Sequence, residues 1–197
     1  MPIFYVNVKQ NYDNFLKFVH MLTDDKGLNI SQRNITASTC GIVPKIRQLA
    51  EEKFQMALAL SLHATTQEKR KQLMPIANKY DLKEVLDACH YYYEQTGRRV
   101  TFEYILLKGI NDSLECADEL SDLIRGTLAY VNLIPYNPVI ENEFKRSDDK
   151  QVRLFMDRLI KRGVTCTIRK EFGTDIDAGF CECYERRVRQ CERHELG

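Results

Sequence analysis

Three short polar segments of the sequence contain residue types that bind small polar ligands. They are Ser38-Thr39-Cys40-Gly41, Ser61-Leu62-His63 and Pro135-Tyr136-Asn137-Pro138, and each stands at the end of a predicted strand. Their hydroxyl, imidazole and amide groups can donate or accept hydrogen bonds. Because the carboxyl ends of parallel strands meet at one edge of a sheet, we expect the three segments to converge on a ligand-binding site.

Each segment also has a simpler explanation. Ser and Thr before a helix often cap it, and an Asn between prolines often shapes a turn. A histidine such as His63, at the end of an apolar strand, is more often a structural group than a general base or a ligand-binding residue. No paired carboxylate or second histidine stands near His63 in the sequence to favour catalysis. The convergence of the segments, rather than any one of them, therefore predicts binding.

The C-terminal part of the sequence contains a candidate metal site. Cys181, Cys183, Cys191 and His194 form the pattern C-x-C-x7-C-x2-H, whose soft ligands could bind structural zinc. Zinc loops usually have the spacing C-x2–4-C, so thiols facing solvent are the favoured interpretation.

Charged residues are nearly balanced. The 29 Lys and Arg residues and 28 Asp and Glu residues give a net charge of +1, which excludes a polybasic nucleic-acid or membrane binder. Asp175 and Asp177 could bind a cation or a base edge, but salt bridges with Arg169 and Lys170 are the simpler interpretation. Phosphates could be bound by basic residues near loops, although a solvated face of mixed charge is favoured; these residues are Lys69, Arg70, Lys71, Arg98, Arg99, Lys145, Arg146, Arg169 and Lys170.

The cysteine content and the apolar pattern indicate a cellular compartment. The seven cysteines are an odd number in a chain of 197 residues, which favours reduced thiols over a disulfide framework. The sequence contains neither a signal-peptide pattern at its start nor an apolar run long enough to span a membrane. We therefore expect a cytoplasmic protein.

Predicted strands and helices alternate around these segments. Apolar runs predict strands over 34–39, 54–63, 99–107, 130–134 and 164–169. Helical spacing predicts helices over 12–22, 43–53, 67–74, 82–96, 114–124 and 148–162, with Asp13 near the start of the first. This alternation predicts an α/β fold with a parallel sheet covered by helices.

Four longer segments identify a family. The sequence resembles the radical S-adenosylmethionine methyltransferases that modify C2 of adenine in 23S ribosomal RNA and some transfer RNAs, at NYDNFLKFVHMLTDDKGLNISQRNITASTCGIVPKI, LALSLHA followed by RKQLMPI, GRRVTFEYILLKGINDS and VNLIPYNP. The match extends from about Asn11 to Ala178. The resemblance implies a partial (β/α) barrel of the radical-SAM type, truncated at its N-terminus, over residues 1–180, followed by a divergent basic, cysteine-rich tail over 181–197.

The resemblance also implies roles for individual residues. The residues that would contact S-adenosylmethionine are Ser38, Ser61, Leu62, His63 and Asn137. In this family a cysteine after the Asp-Ile-Asp-Ala segment receives a methyl group. A second cofactor molecule, cleaved at a [4Fe–4S] cluster, then yields a radical that activates that methyl. Cys181 is the candidate methyl carrier; it stands one position later than in the family's pattern, where this chain has Phe180.

The sequence departs from the family pattern at both ends. The C-x3-C-x2-C loop that ligates the cluster has no counterpart, so we expect no metal ligand in this chain. The expected partners are 23S ribosomal RNA and, as a second candidate, transfer RNA, without a membrane or an obligate protein partner. We hypothesise a piece of a longer or frameshifted methyltransferase acting at C2 rather than C8. The alternative is a catalytically inactive fragment that retains weak RNA or S-adenosylmethionine binding.

Overall fold

Strands and helices alternate along the chain, as the apolar pattern predicts. The computed structural model describes the backbone of residues 3–5, 8–138 and 143–169 and the side chains of residues 12–138 and 143–169. The strands are β1 (Ile3–Tyr5), β2 (Thr36–Thr39), β3 (Ala57–Ser61), β4 (Val100–Leu106), β5 (Ala129–Pro135) and β6 (Cys166–Ile168). The helices are α1 (Val8–Thr23), α2 (Val43–Glu51), α3 (Gln67–Leu73), α4 (Leu82–Thr96), α5 (Leu114–Leu123) and α6 (Asp149–Lys161). Two short 3-10 helices cover Gln32–Asn34 and Pro75–Asn78.

All the described strands belong to one parallel sheet. Their order is β1-β2-β3-β4-β5-β6, so each strand pairs with its neighbours in the sequence. Sequential parallel strands joined by helices form the wall of a (β/α) barrel. This arrangement confirms the predicted α/β class and agrees with a partial (β/α) barrel.

Alternate residues of β3 lie on opposite faces of the sheet. The helix-side core contains Leu58, Leu60 and Leu62 together with buried residues of α1, α2, α4, α5 and α6. The opposite face, which we call the inner face, carries the apolar pair Ile105 and Ile134 at its carboxyl edge and otherwise mainly small or polar residues in register with one another: Thr36, Ser38, Ala57, Ala59, Ser61, Thr101, Glu103 and Asn132. A barrel filled only by its own side chains has branched aliphatic residues at such positions, so this inner face is suited to a polar ligand.

The element boundaries have local causes. Asp81 caps α4 by accepting a hydrogen bond from the Lys83 N–H, and the Glu84 carboxylate accepts one from the Asp81 N–H. Gly97 ends the same helix in the left-handed conformation, with φ of 62°. Helix α1 begins at Val8 rather than at the predicted residue 12, so Asp13 lies inside the helix and the prediction that it stands near the start was wrong.

None of the helices in the described part of the chain has the length and apolar character that crossing a membrane requires. The predicted division into a barrel domain and a tail lies partly outside the described residues and stays a prediction.

Candidate cofactor-binding site

The three polar segments lie at the same edge of the sheet. Ser38 lies near the end of β2, Ser61 is the last residue of β3, and Asn137 follows the end of β5. Since these strands are parallel, their carboxyl ends share one edge. The structure therefore brings the segments to one side of the barrel wall, where α/β proteins bind ligands.

Ser38 has a buried hydroxyl group that lacks a partner among residues 12–138 and 143–169. The side chain lies on the inner face in register with Ala59 and is 4% exposed. Its Oγ makes no hydrogen bond within the described structure. A buried hydroxyl in this state costs about 1–3 kcal/mol, which a bound ligand with a matching polar group would offset.

The Ser61-Leu62-His63 segment turns away from β3 over the backbone of β4. The N–H groups of Leu62 and His63 both donate to the Glu103 carbonyl oxygen, at 3.0 and 3.3 Å. His63 adopts a left-handed backbone conformation with φ of 59°. The Leu62 side chain is buried in the helix-side core, so a contact between Leu62 and a ligand on the inner face would involve its backbone.

His63 is a neutral hydrogen-bonding group near pH 7. Its Nδ1 accepts a hydrogen bond from the Ile105 N–H at 3.3 Å. The pKa of the imidazole is lowered to about 3, mainly by burial and also by the Arg70 cation, while the Glu103 backbone opposes both effects. An imidazole with this pKa is a weak base, which favours the structural interpretation of His63 over a general base.

Arg70 is buried completely and holds the turn between β2 and α2. Its Nη2 donates to the carbonyl oxygen of Cys40 at 2.7 Å. Gly41, with φ of 103°, leaves room for this guanidinium, because a Cβ at Gly41 would lie 2.9 Å from Nη2. The Thr39 hydroxyl accepts a hydrogen bond from the Gly41 N–H at 3.1 Å, which matches the turn explanation for that residue. The prediction that Arg70 belongs to a solvated or phosphate-binding face was therefore wrong.

Asn111 links the ends of β3 and β4. This residue is fully buried, and its Nδ2 donates to the carbonyl oxygens of His63 at 2.8 Å and Ile105 at 2.7 Å. Its Oδ1 accepts from the Leu107 N–H at 2.8 Å, and its carbonyl accepts from the Tyr104 hydroxyl at 2.9 Å. Sequence reasoning missed this role, although an Asn-Asp pair in the loop after a strand is a signal for side-chain bonding to the backbone.

The end of β5 combines an apolar cluster with the predicted Asn137 contact. Tyr136 is buried beside Ile105, Leu107 and Ile134, and its ring centroid lies 6.2 Å from that of Phe144. Asn137 follows directly and is partly exposed. The amide of Asn137 is therefore accessible at the sheet edge, and its contact with a cofactor stays a prediction.

The described residues do not fit an iron–sulfur cluster. In residues 12–138 and 143–169 no group of three or more His, Cys, Asp or Glu side chains could hold a metal ion. The cysteines in these ranges are Cys40, Cys89, Cys116 and Cys166. The candidate methyl carrier Cys181 lies outside the described residues, as do the zinc candidates Cys183, Cys191 and His194 and the carboxylates of Asp175 and Asp177.

Close relatives of the chain share one description. A probable dual-specificity RNA methyltransferase RlmN from Lachnospira eligens is 54% identical over 171 residues, which cover 87% of this chain and 49% of the relative. A protein of the same description from Clostridium novyi is 56% identical over 171 residues, covering 87% and 50%. The chain belongs to the RlmN family. It spans about half the length of the curated relatives it matches. No family model matches the chain.

Solved structures agree with membership of the RlmN family. A radical SAM methyltransferase from Sphaerobacter thermophilus matches with a TM-score of 0.82 and 44% identity, over 86% of this chain and 50% of that protein. A domain of pyruvate-formate lyase-activating enzyme from Bacteroides vulgatus matches with a TM-score of 0.63 at 11% identity, over 85% of this chain and 98% of that domain, which shows a shared fold alone. The family resemblance predicted from the four sequence segments is confirmed.

Proposed function

We propose that this chain is the S-adenosylmethionine-binding part of a radical-SAM RNA methyltransferase. The whole protein would methylate C2 of an adenine in 23S ribosomal RNA, with transfer RNA as a second substrate and the cytoplasm as its location. One observation supports cofactor binding most directly. The Ser38 hydroxyl is buried at the carboxyl edge of the sheet and has no hydrogen-bond partner among the described residues.

The described residues suit a ligand with several polar groups. Ser38 and Ser61 both lie on the inner face, Ser38 in register with Ala59 and Ser61 in register with Glu103. Asn137 offers a partly exposed amide at the same edge. When bound, S-adenosylmethionine supplies the methyl group and the radical chemistry. The chain's own residues bind and orient this cofactor.

Two further residues keep the binding segments in place. Arg70 fixes the Cys40 carbonyl in the turn after β2, and Asn111 fixes the His63 carbonyl in the turn after β3. Neither side chain needs to touch the ligand for this role. We assign no reaction step to a metal cluster held by the described residues, and Cys181 remains the proposed methyl-carrying residue.

The test is equilibrium binding of S-adenosylmethionine to the 197-residue chain, measured by isothermal titration calorimetry. We expect Ser38→Ala to weaken binding about tenfold, equivalent to about 1.4 kcal/mol, because one hydrogen bond to the ligand is lost. The ligand-free Ser38→Ala protein should be no less stable than wild type, since the Oγ of Ser38 has no partner to lose.

Ser121→Ala is the matched control. Ser121 is 4% exposed, like Ser38, but its Oγ donates to the Ala117 carbonyl oxygen at 2.8 Å within α5. This variant should lose a little stability and keep the wild-type affinity. Absence of S-adenosylmethionine binding by the wild type, or equal affinity of wild type and Ser38→Ala, would contradict the proposal.

A further inference from the structure

A buried carboxyl group on the inner face has one oxygen that lacks a hydrogen-bond partner in the part of the chain that the structure describes. Glu103 lies in the middle of β4, in register with Ser61 of β3 and Asn132 of β5, and is 3% exposed. The Ser61 hydroxyl lies beside this carboxyl group on the neighbouring strand and lowers its pKa. The Oε2 atom makes no hydrogen bond within the described structure. Buried carboxyl oxygens are normally satisfied, so this oxygen indicates a missing partner.

The backbone of the same residue contacts the turn proposed to bind the cofactor. The Glu103 carbonyl oxygen accepts hydrogen bonds from the N–H groups of Leu62 and His63. Its strand neighbours Phe102 and Tyr104 are buried in the helix-side core, which leaves the Glu103 side chain on the inner face with Ser61. The unpartnered oxygen therefore belongs to the same surface as the predicted cofactor contacts.

The charge environment indicates the kind of group that would pair with Oε2. Burial raises the pKa of the Glu103 carboxyl group, while the nearby Arg169 cation and the Ser61 hydroxyl lower it. Arg169 already supplies one positive charge close to this carboxyl. The group that pairs with Oε2 must therefore be a hydrogen-bond donor, and it does not have to be charged. Adenosine carries such donors in its ribose hydroxyl groups and its exocyclic amine.

We propose that Glu103 is a further cofactor-binding residue, whose Oε2 accepts a hydrogen bond from a hydroxyl or amino group of the adenosine part of S-adenosylmethionine. The inference rests on the proposed function, because it takes the inner face as the cofactor site. It adds a residue from β4, a strand that contributes none of the cofactor contacts expected from the sequence.

The experiment compares Glu103→Met with wild type, using S-adenosylmethionine and S-adenosylhomocysteine as probes. The two probes share the adenosine part, but S-adenosylhomocysteine lacks the methyl group and the positive charge on sulfur. We expect Glu103→Met to bind both about tenfold more weakly, since one hydrogen bond from a carboxyl oxygen is lost. Its ligand-free melting temperature should not fall, because the variant replaces a desolvated carboxyl group by an apolar side chain.

Three further variants sharpen the comparison. Glu103→Gln keeps a carbonyl acceptor and should bind within about threefold of wild type. Glu103→Asp shortens the side chain by one methylene group and should weaken the binding of both probes. This variant tests the role of Glu103 if Glu103→Met does not fold. Ser121→Ala, the control used above, changes a buried hydroxyl within α5, away from the inner face, and should leave both affinities unchanged.

The outcomes separate this inference from the proposed function. No binding of S-adenosylmethionine by the wild-type chain would reject the proposed function. Binding by wild type with equal affinity in Glu103→Met, or in Glu103→Asp, would reject the role of Glu103 alone. A loss confined to S-adenosylmethionine would mean that the carboxyl pairs with the sulfonium charge, and would overturn the assignment to adenosine. A lower melting temperature with unchanged affinity would make Glu103 a structural residue.

Discussion

Replacing Asn111 by alanine should destabilise the junction between β3 and β4. The alanine variant removes three buried side-chain hydrogen bonds, to His63, Ile105 and Leu107, with lengths of 2.7–2.8 Å. At about 1 kcal/mol each, the loss is about 3 kcal/mol, and the partners left buried and unpaired add to it. For a protein of this size, about 3 kcal/mol lowers the melting temperature by about 6–12 °C.

The measurement is thermal and urea unfolding of wild type and Asn111→Ala, followed by circular dichroism. Asn111→Asp is the control for shape. It has nearly the same volume, but it places a carboxylate oxygen opposite the carbonyl oxygens of His63 and Ile105 instead of a donor. Near neutral pH it should be at least as unstable as Asn111→Ala. A loss below about 1 kcal/mol in Asn111→Ala would refute the role assigned to this side chain.

Three further predictions concern the turns that follow β2 and β3. Arg70→Met should lower the free energy of unfolding by about 1.5–3 kcal/mol, because it removes the charge-assisted hydrogen bond to the Cys40 carbonyl. The same variant should raise the pKa of His63 in an NMR titration, because the Arg70 cation lowers that pKa in wild type. An unchanged pKa would contradict the proximity of the two groups. The wild-type chain should lose stability as pH falls from about 6.5 toward 3, by up to about 1.4 kcal/mol per pH unit, because the unfolded chain binds a proton at His63 that the native state does not bind. If His63→Gln loses stability with falling pH in the same way as wild type, His63 is not the cause of the pH dependence. Gly41→Ala should be clearly less stable than Gly109→Ala in thermal unfolding, since both positions have positive φ but only Gly41 would place its Cβ 2.9 Å from a neighbouring atom; equal losses would show that the guanidinium moves aside.

Most of the fold could be predicted because the spacing of apolar residues in the sequence indicates which side chains are buried. Helix α4 begins and ends as predicted, since Asp81 and Gly97 mark its ends in the sequence. The strand predicted from residue 54 begins only at Ala57, although Phe54 and Met56 are buried. Apolar character indicates burial, whereas strand boundaries depend on backbone pairing, which for β3 begins with the partner Thr36. Strand β1 is only three residues long and was not predicted.

The candidate site was only partly predictable, because the spacing of residues in a sequence does not show which polar side chains are buried. Ser38 and Ser61 were found because they stand at predicted strand ends. Arg70 and Asn111 were missed, since the burial of a polar side chain depends on partners distant in the sequence. For Glu103 a signal existed in VTFEYIL, where one acidic residue interrupts an otherwise apolar strand. A charge in such a run indicates a buried polar position, and here it lies on the inner face.

The alternation of faces along β3 separates two kinds of mutation within a few residues. Changes at the even-numbered positions of 58–62 alter the helix-side core and should show up as changes in protein abundance. Changes at the odd-numbered positions of 57–61 alter the inner face and should reduce ligand affinity in a protein that still accumulates. In related chains, the stability of the protein and its affinity for a ligand can therefore change independently along this strand. The helix-side residues affect stability, and the inner-face residues affect ligand binding.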